Sequence, residues 1–410
     1  MIKNHVLFIF CLLLFLLHNC RKNPIDSIDK EADYHFKGSI SEDVLRNYLS
    51  HSITMSNLLL PEVQEYMDEN IDMILNIDAK FIGRAIFLWS EENRLPFILA
   101  EAEPKLGQVH AADSDIIVQA AIFEIITTDV EKLQVPDWVF QEFNLPVIVR
   151  HFDYEAMLPV DSSDIDFYGS GKSVPDISRL ETRLWFFYLA ANYMKIGVEA
   201  IHLGQFSWMS AWDEDYTYAS SITDRIHRYA KLHARRGYIL LDAHVESGMK
   251  KGETLILDFH SCPLRIKEGK NQQQGVLEEN FCGSIYGKSL GGLTPSGWHA
   301  DHLPYLVEFD HGYAYDWAPG ECPKEECIWG FDEISWFALV LSESERNAFL
   351  EYVWHWVRTN DPAGYVEMPG VRPLQAEGET GIDWYFAHSP DRMLYGYNQE
   401  ETIKAIWNSN

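Results

Sequence analysis

The sequence predicts an α/β protein of the (β/α)8 barrel class. Apolar runs typical of buried parallel strands recur between residues 81 and 368 and alternate with helical segments, giving about eight strand–helix units. Three runs end in polar pairs spaced by two, namely Asp242 with His244, Asp258 with His260, and Glu308 with Asp310. Residues i and i+2 of a strand share a face, so such pairs are typical of a barrel with a site at its carboxyl-terminal rim. A doubly wound open sheet is the alternative, and the lack of a glycine-rich nucleotide loop after the first strand disfavours it.

Composition restricts the partners of the chain. The 410 residues include 33 Lys and Arg against 62 Asp and Glu, a formal charge of −29. A charge of this size and sign argues against nucleic acid or an anionic membrane surface as a partner. A glycan or another small neutral substrate fits better. The expected contact with a membrane is restricted to an N-terminal lipid anchor.

The first 20 residues read as an export signal. Lys3 and His5 precede the apolar run 6–17, which at about twelve residues falls short of the roughly 20 that span a bilayer. Cys20, directly after this run, is the predicted lipidation site of a lipoprotein, with a plain secretory signal or an uncleaved anchor as alternatives. Residues 21–38 are predicted to be a polar tether.

Export changes how the remaining cysteines are interpreted. Four cysteines in an oxidising compartment can pair in three ways, and the sequence does not choose between them. They are Cys262, Cys282, Cys322 and Cys327. The last two bracket a short loop that a disulfide could close, whereas the spacing of the first two does not suit a zinc ribbon.

The elements follow in order along the chain. Residues 39–80 are predicted to form an N-terminal helical extension, because Ser39 with Glu42 reads as a capping box and Pro61 suits a helix start. The barrel domain is predicted over 81–410. Its strands are expected at residues 81–89, 119–127, 146–152, 198–206, 238–245, 255–260, 305–310 and 365–368, and its main helices at 176–196, 223–236, 342–359 and 399–408.

The strand ends supply candidates for carboxylate chemistry. Glycosidic hydrolysis requires two carboxyl groups, one protonated and one acting as base or nucleophile. The catalytic candidates are Glu308, Asp242, Glu124, Asp258 and Asp310, of which the first three are preferred. The pattern therefore predicts a glycosidase-type hydrolase that acts on a glycan outside the cytoplasm and needs no cofactor.

Neighbouring side chains are expected to bind the substrate. The candidates are His202, Gln205, His244, His260, Arg265, Trp208 and Trp298. Trp212 lies on the same predicted rim loop as Trp208, after strand four, and Trp317 and Trp329 follow strand seven. Aromatic faces suit the apolar side of a pyranose. For any one tryptophan, packing of a loop is the more common role.

Two other interpretations stay open. His244, His260, Asp242 and Asp310 also form a set that could hold one divalent metal ion in a metal-dependent hydrolase. Alternatively, the same rim could bind glycan without catalysis. The absence of a His-Glu-x-x-His motif disfavours the metal.

Several segments of the sequence together resemble a known group of proteins. They are residues 198–205, 241–244, 257–267, 294–298 and 306–310. Over residues 40–408 the chain resembles uncharacterised secreted lipoproteins of polysaccharide-degrading Gram-negative bacteria. The resemblance implies a barrel like those of glycoside hydrolases and a lipid-anchored location in the cell envelope, and it implies no particular activity. Glu199 and Glu308 resemble the acidic positions of the large retaining-glycosidase clan, but the Asn-Glu dipeptide expected at strand four is missing.

Overall fold

The computed structural model describes residues 32–56, 58–60, 66–311, 320–321, 327–375 and 383–409. Residues 34–410 form one compact unit, and residues 1–33 are divided from it as a second unit. The predicted signal with Cys20, most of the predicted tether, Trp317 and Cys322 lie outside the described residues. Within the described residues, no helix combines the length and the apolar character needed to cross a membrane.

The architecture is a parallel barrel. Its strands in the described chain are β1 (Ser52–Met55), β2 (Phe81–Leu88), β3 (Ile117–Ile122), β4 (Ala200–His202), β5 (Leu240–Asp242), β6 (His260–Pro263), β7 (Tyr305–Glu308) and β8 (Gly364–Pro373). Parallel pairing runs from β1 to β5 and from β6 to β8, and β8 pairs with β1.

Backbone hydrogen bonds close the barrel between β5 and β6. The Ser261 amide donates to the carbonyl of Ala243 at 3.0 Å, and the Val245 amide donates to the carbonyl of Ser261 at 3.2 Å. The prediction of an α/β barrel is therefore confirmed.

Helices surround this barrel. In the described residues they are α1 (Glu42–Ser50), α2 (Met67–Asn76), α3 (Leu95–Ala112), α4 (Asp137–Glu142), α5 (Leu180–Ile196), α6 (Phe206–Met209), α7 (Thr217–His233), α8 (Glu333–Ser335), α9 (Glu343–Asn360) and α10 (Glu400–Asn408). Gly197 ends α5 with φ of 106°, a conformation that favours glycine. A capping box of Ser342 and Glu345 begins α9, at the predicted start of this helix. At α1 the cap is Ser41, two residues after the predicted Ser39.

Short strands outside the barrel belong to its loops. Ile126–Thr127 pairs with Lys172–Ser173, Lys267–Glu268 pairs with Gly275–Val276, and Trp384–Phe386 pairs with the end of β8. A small sheet contains Lys250–Lys251, Thr254–Leu255, Gly292–Leu293 and His299–Ala300.

The amino-terminal end of the barrel is closed by an apolar cluster. Tyr34, Phe36 and residues of α1 pack there against the first residues of several strands, including Phe81 and Leu240. Trp298 packs against the same cluster, and its indole Nε1 donates to the carbonyl of Ile40 at 3.1 Å. The prediction that Trp298 lies at the substrate rim is therefore wrong, because this side chain lies at the opposite end of the barrel.

Two other predicted elements differ from the structure, namely the helical extension at 39–80 and the strand at 146–152. The segment 39–80 is not a purely helical extension, since β1 lies within it and pairs with β2 and β8. Residues 146–152 do not form a barrel strand, and Val149 is 85% exposed. Residues 147–149 are apolar and β-branched, but burial between neighbouring strands is what makes such a run a strand.

Strand six is displaced along the chain. The sequence places it at 255–260, whereas β6 runs from His260 to Pro263 and Thr254–Leu255 pairs in the small loop sheet. Asp258 and His260 therefore precede or begin the strand. The residues that reach the carboxyl-terminal rim come after them.

The described cysteines differ in oxidation state: two are free thiols and one is in a disulfide. Cys262 is a buried free thiol and Cys282 an exposed one. Cys327 is disulfide-bonded. A zinc site made of all four thiolates does not fit this arrangement.

Candidate active site

A layer of charged and polar side chains fills the barrel near its carboxyl-terminal rim. Its members are Arg84 of β2, Gln119 of β3, His202 of β4, Asp242 of β5, Ser261 of β6, Glu308 of β7 and Glu367 and Arg372 of β8, with His244 and Asp310 just beyond their strands. We call this set the polar cluster. Barrel interiors are usually filled by bulky apolar side chains, so a polar layer of this size calls for a functional explanation.

Glu308 is the most heavily bonded carboxylate of the polar cluster. Its Oε1 accepts from Arg84 Nη2 and lies 2.6 Å from His244 Nε2, and its Oε2 accepts from Arg372 Nη1 at 3.3 Å. Burial alone would raise the pKa of Glu308, but the charge of Arg84, the hydrogen bond to His244 and the charge of Arg372 hold that pKa well below its ordinary value. Glu308 is therefore ionised.

Asp310 shares these arginines and reaches solvent. Its Oδ1 accepts from Arg372 Nη2 at 3.2 Å and lies 3.8 Å from Arg84 Nη1, while the side chain is 23% exposed. Burial and the charge of Glu308 act to raise the pKa of Asp310, but the neighbouring His244 and the positive charges of Arg84 and Arg372 lower it overall. Asp310 is thus an ionised carboxylate at the surface of the cluster.

Glu367 is the neutral counterpart of Glu308. The two residues are register partners on β8 and β7. Glu367 is 3% exposed, and its Oε1 has no hydrogen-bond partner. Burial and the negative charge of Glu308 raise the pKa of Glu367 to about 8, so it holds its proton at neutral pH. A Cβ atom at Gly83 would lie 1.8 Å from Glu367 Oε1, so only glycine leaves room for this carboxyl.

Asp242 and His202 form the second half of the polar cluster. Asp242 Oδ1 accepts from Gln119 Nε2 at 2.7 Å, and Oδ2 accepts from Ser261 Oγ at 2.8 Å. Oδ2 also lies 2.8 Å from His202 Nδ1.

The imidazole of His202 is held neutral with one nitrogen free. The ring is 1% exposed, and burial lowers its pKa. With the proton on Nδ1 facing Asp242, Nε2 is an acceptor, and it has no partner. The ring centroids of His202 and His244 lie 4.7 Å apart. Because His244 also contacts Glu308, it connects the two halves of the polar cluster.

A backbone irregularity orients Arg84. The β2–β3 register shifts between Ile82 and Ile86, and Arg84 has φ of 53°, which non-glycine residues rarely adopt. Its amide donates to Gln119 Oε1 at 3.1 Å. Strained conformations of this kind concentrate at functional sites.

Glu124 and Gln205 form a separate pair beside the polar cluster. Glu124 Oε2 accepts from the backbone amide of Gln205 at 3.0 Å, and Oε1 accepts from Gln205 Nε2 at 3.4 Å. Gly204, with φ of 53°, lies so close that a Cβ there would be 2.3 Å from Glu124 Oε2. The carboxylate thus stabilises the turn after β4.

Asp258 and His260 do not join the polar cluster. Asp258 accepts from the Tyr238 hydroxyl at 2.5 Å and from the Leu241 amide at 2.9 Å, and it lies 3.0 Å from His227 Nε2. Both ring nitrogens of His260 are bonded, to Val245 O at 3.0 Å and Ser289 Oγ at 2.8 Å. Their predicted position at the carboxyl-terminal rim is therefore wrong, because β6 begins later along the chain than the sequence predicts.

The remaining candidates are distributed around the rim. Trp208 Nε1 donates to Asp164 at 3.0 Å, and Trp212 Nε1 donates to Asp161 at 3.0 Å. The ring of Trp329 packs against the main core cluster. Arg265 has φ of 60°, and its backbone amide donates to Glu333 at 2.6 Å.

The polar cluster is a poor fit for a metal ion. Among the described residues, no group of three or more His, Cys, Asp or Glu side chains has the geometry to hold one. Two members of the alternative metal set, His260 and Asp242, are engaged with separate partners. Arg84 and Arg372 place positive charge beside Glu308 and Asp310, where a cation would be repelled.

Sequence reasoning missed several members of the cluster. Arg84 and Glu367 are charged residues inside apolar runs, and this signal could have found them, because a buried charge is costly unless it is paired or functional. Gln119 begins a predicted strand and carries no such signal. Arg372 lies beyond the predicted end of strand eight, so only the length of β8 reveals it.

Comparisons with known proteins add little. No model of a protein family matches the sequence, and no curated protein matches it. Among solved structures, the acarbose-soaked form of a Nostoc punctiforme debranching enzyme is similar with a TM-score of 0.45 and 12% identity, covering 92% of this chain and 82% of that one. The native form of that enzyme gives 0.42 and 11%, covering 92% and 81%. At these scores neither structure bears on function, and the fold assignment rests on the strand pairing.

Proposed function

We propose that the protein hydrolyses a glycosidic bond in a neutral glycan outside the cytoplasm. The observation that supports this is the pair Glu308 and Glu367, two carboxyl groups on neighbouring strands with opposite protonation states. Environments that separate two carboxyls in this way define acid and base partners in many hydrolases. Glycosidic hydrolysis uses such a pair.

The two carboxyls take different roles in the proposal. Glu308, kept ionised by two guanidinium groups, stabilises the positive charge that develops at the anomeric carbon. Glu367 supplies the proton that the departing sugar oxygen takes up as the C–O bond breaks. Water adds its hydroxyl to the anomeric carbon, and its proton returns to the carboxyl pair.

Other groups of the polar cluster suit sugar hydroxyls. His202 Nε2 is an unpartnered acceptor, and Asp310 is an acceptor that reaches solvent. Arg84 and Arg372 already face Glu308 and Asp310, so they offer little free positive charge to an anionic sugar. Together with a net charge of −29, this favours an uncharged glycan.

A non-catalytic glycan-binding barrel is the second candidate. One observation favours it: Glu308 already has partners on both oxygens and is 1% exposed. A carboxylate so fully bonded also suits a purely structural role. The metal-dependent alternative receives no such support from the geometry.

Turnover on a panel of neutral glycans separates the two candidates. We expect the wild type to release reducing ends and Glu308→Gln to lower that rate by about 10²–10⁴-fold. Asp258→Asn is the matched control, a buried carboxylate outside the polar cluster, with folding of each variant checked by circular dichroism. Binding without turnover in the wild type would establish the second candidate. If metal analysis of the purified protein found stoichiometric zinc or manganese, that result would support the metal-dependent hydrolase instead.

We also propose that the protein is exported and lipid-anchored at Cys20 in the cell envelope. The apolar run 6–17 followed by this cysteine supports the proposal. Labelling with a lipid precursor is expected in the wild type and lost in Cys20→Ala. Unlabelled wild-type protein released to the periplasm would contradict the anchor.

A further inference from the structure

Five aromatic side chains beside the polar cluster form a continuous surface, which we call the aromatic ledge. They are Trp89, Phe123, Tyr168, Phe167 and Trp208. Successive ring centroids along the ledge, from Phe123 to Trp89, to Tyr168, to Phe167 and to Trp208, lie 5.4, 5.4, 4.9 and 4.9 Å apart. All four contacts are edge-to-face, the geometry that aromatic rings prefer.

The aromatic ledge lies at the rim of the barrel and continues into the polar cluster. Trp89 directly follows β2, Phe123 directly follows β3, and Trp208 lies in the segment after β4. The ring of Phe123 is 6.0 Å from that of His202, the residue with the unpartnered Nε2. The aromatic ledge therefore runs along the rim as far as the buried ring of His202.

The ledge is open to solvent although it is strongly apolar. Trp89 is 45% exposed and Phe167 is 58% exposed. Contiguous exposed aromatic surface usually marks a binding site. At the far end the indole of Trp208 is held in place by its hydrogen bond to Asp164. A surface fixed in this way loses little conformational entropy when a ligand binds.

Carboxylates border the aromatic rings. Asp161, Asp164 and Asp166 lie on the loop that carries Phe167 and Tyr168. Asp161 and Asp164 each accept an indole N–H, and their oxygens have lone pairs left for further donors. Apolar faces bordered by acceptors complement a pyranose, which has C–H faces and hydroxyl edges. The same carboxylates disfavour an anionic ligand.

We infer that the aromatic ledge is a stacking subsite for a neutral glycan chain that runs outward from the polar cluster, which makes the substrate an oligosaccharide or polysaccharide and not a single glycoside. This inference rests on the proposed function for the placement of the chain's reacting end. The length of the ledge, four ring contacts in succession, calls for a ligand of several sugar units. Trp89 and Phe167 are its specificity-determining residues.

The test compares long and short neutral probes. The variants are Trp89→Ala and Phe167→Ala, with Phe97→Ala as the matched control, because Phe97 is 53% exposed on α3 and belongs outside the ledge. Calorimetric Kd values are measured for cello-, malto-, laminari-, xylo- and mannohexaose, and turnover for the hexaoses and the corresponding aryl monoglycosides. Removing about 50 Å² of apolar contact predicts a roughly tenfold weaker hexaose Kd for each ledge variant. We expect the aryl monoglycosides and the control to be unchanged.

The outcomes separate this inference from the proposed function. Hexaose binding that the ledge variants weaken, without turnover in the wild type, overturns hydrolysis and supports the ledge. Turnover in the wild type with unchanged Kd and KM in both ledge variants overturns the ledge and leaves hydrolysis standing. No hexaose bound by the wild type overturns the ledge as a glycan subsite, and turnover of aryl monoglycosides then decides the proposed function independently.

Discussion

Glu367 offers a direct test of the electrostatics inside the barrel. We expect Glu367→Gln to make the free energy of unfolding less dependent on pH, and to stabilise the protein at pH 8. In the wild type, burial and the charge of Glu308 raise the pKa of Glu367 from 4.5 to about 8. Glutamine has nearly the same shape as glutamic acid and does not titrate. The substitution therefore removes the pH dependence that Glu367 contributes, and it leaves the space above Gly83 filled.

The sign follows from proton linkage. Between pH 4.5 and 8 the folded chain keeps a proton on Glu367 that the unfolded chain releases. The stability from this group is complete below pH 4.5 and is lost as the pH rises toward 8. Each pH unit in this window corresponds to about 1.4 kcal/mol. From pH 5 to pH 8 the wild type should therefore lose up to ~4 kcal/mol that Glu367→Gln retains.

Urea denaturation at pH 5, 6, 7 and 8 measures this difference. The unfolding free energy of Glu367→Gln is subtracted from that of the wild type at each pH. This subtraction removes the contributions of the other titrating groups, which the two proteins share. Glu103→Gln, at an exposed position on α3, controls for the loss of one carboxyl from the chain.

Parallel pH dependences for wild type and Glu367→Gln would refute the reasoning. Such a result would mean that Glu367 is ionised at neutral pH in the folded protein. The proposed division of Glu308 and Glu367 into a charged and a proton-carrying carboxyl would then fail as well.

Three further variants test the surrounding contacts. Arg84→Met should lower the unfolding free energy by about 3–5 kcal/mol, because it leaves the buried Glu308 short of a charge partner; a loss below 1 kcal/mol in urea would contradict the ion pair. Gly83→Ala should cost about 1–3 kcal/mol in the same assay, since the new methyl would lie 1.8 Å from Glu367 Oε1, and an unchanged midpoint would show that the carboxyl lies elsewhere. Asp258→Asn should cost about 1–3 kcal/mol through its buried hydrogen bonds while glycan turnover stays within twofold, and loss of turnover would return Asp258 to the active site.

Strand identity was more predictable than strand position. The runs around residues 81, 119, 200, 240 and 305 all form barrel strands near their predicted places, because long apolar runs require burial wherever they lie. For the run at 255–260, the predicted position is a few residues too early. A displacement of this size moves a side chain from one end of a strand to the other, and Asp258 and His260 consequently lost their assigned place at the rim.

The strand ends located part of the site. Asp242, His244, Glu308 and Asp310 were candidates from their spacing alone, and the structure brings them together in the polar cluster. Glu124 lies at the rim, but its bonds go to Gln205. Period-two spacing fixes which face a side chain occupies, and it does not fix which partner that side chain meets.

By itself, the sequence determined the barrel class, the negative charge and the presence of polar residues at the ends of β5 and β7, since each depends on composition or local spacing. Only the tertiary structure decided that Arg84 and Arg372 meet Glu308 and that Glu367 lies beside it. Arg84 and Glu308 are 224 positions apart in the chain. The charge state of a buried carboxyl depends on such distant neighbours and on its desolvation, and neither is set until the barrel closes.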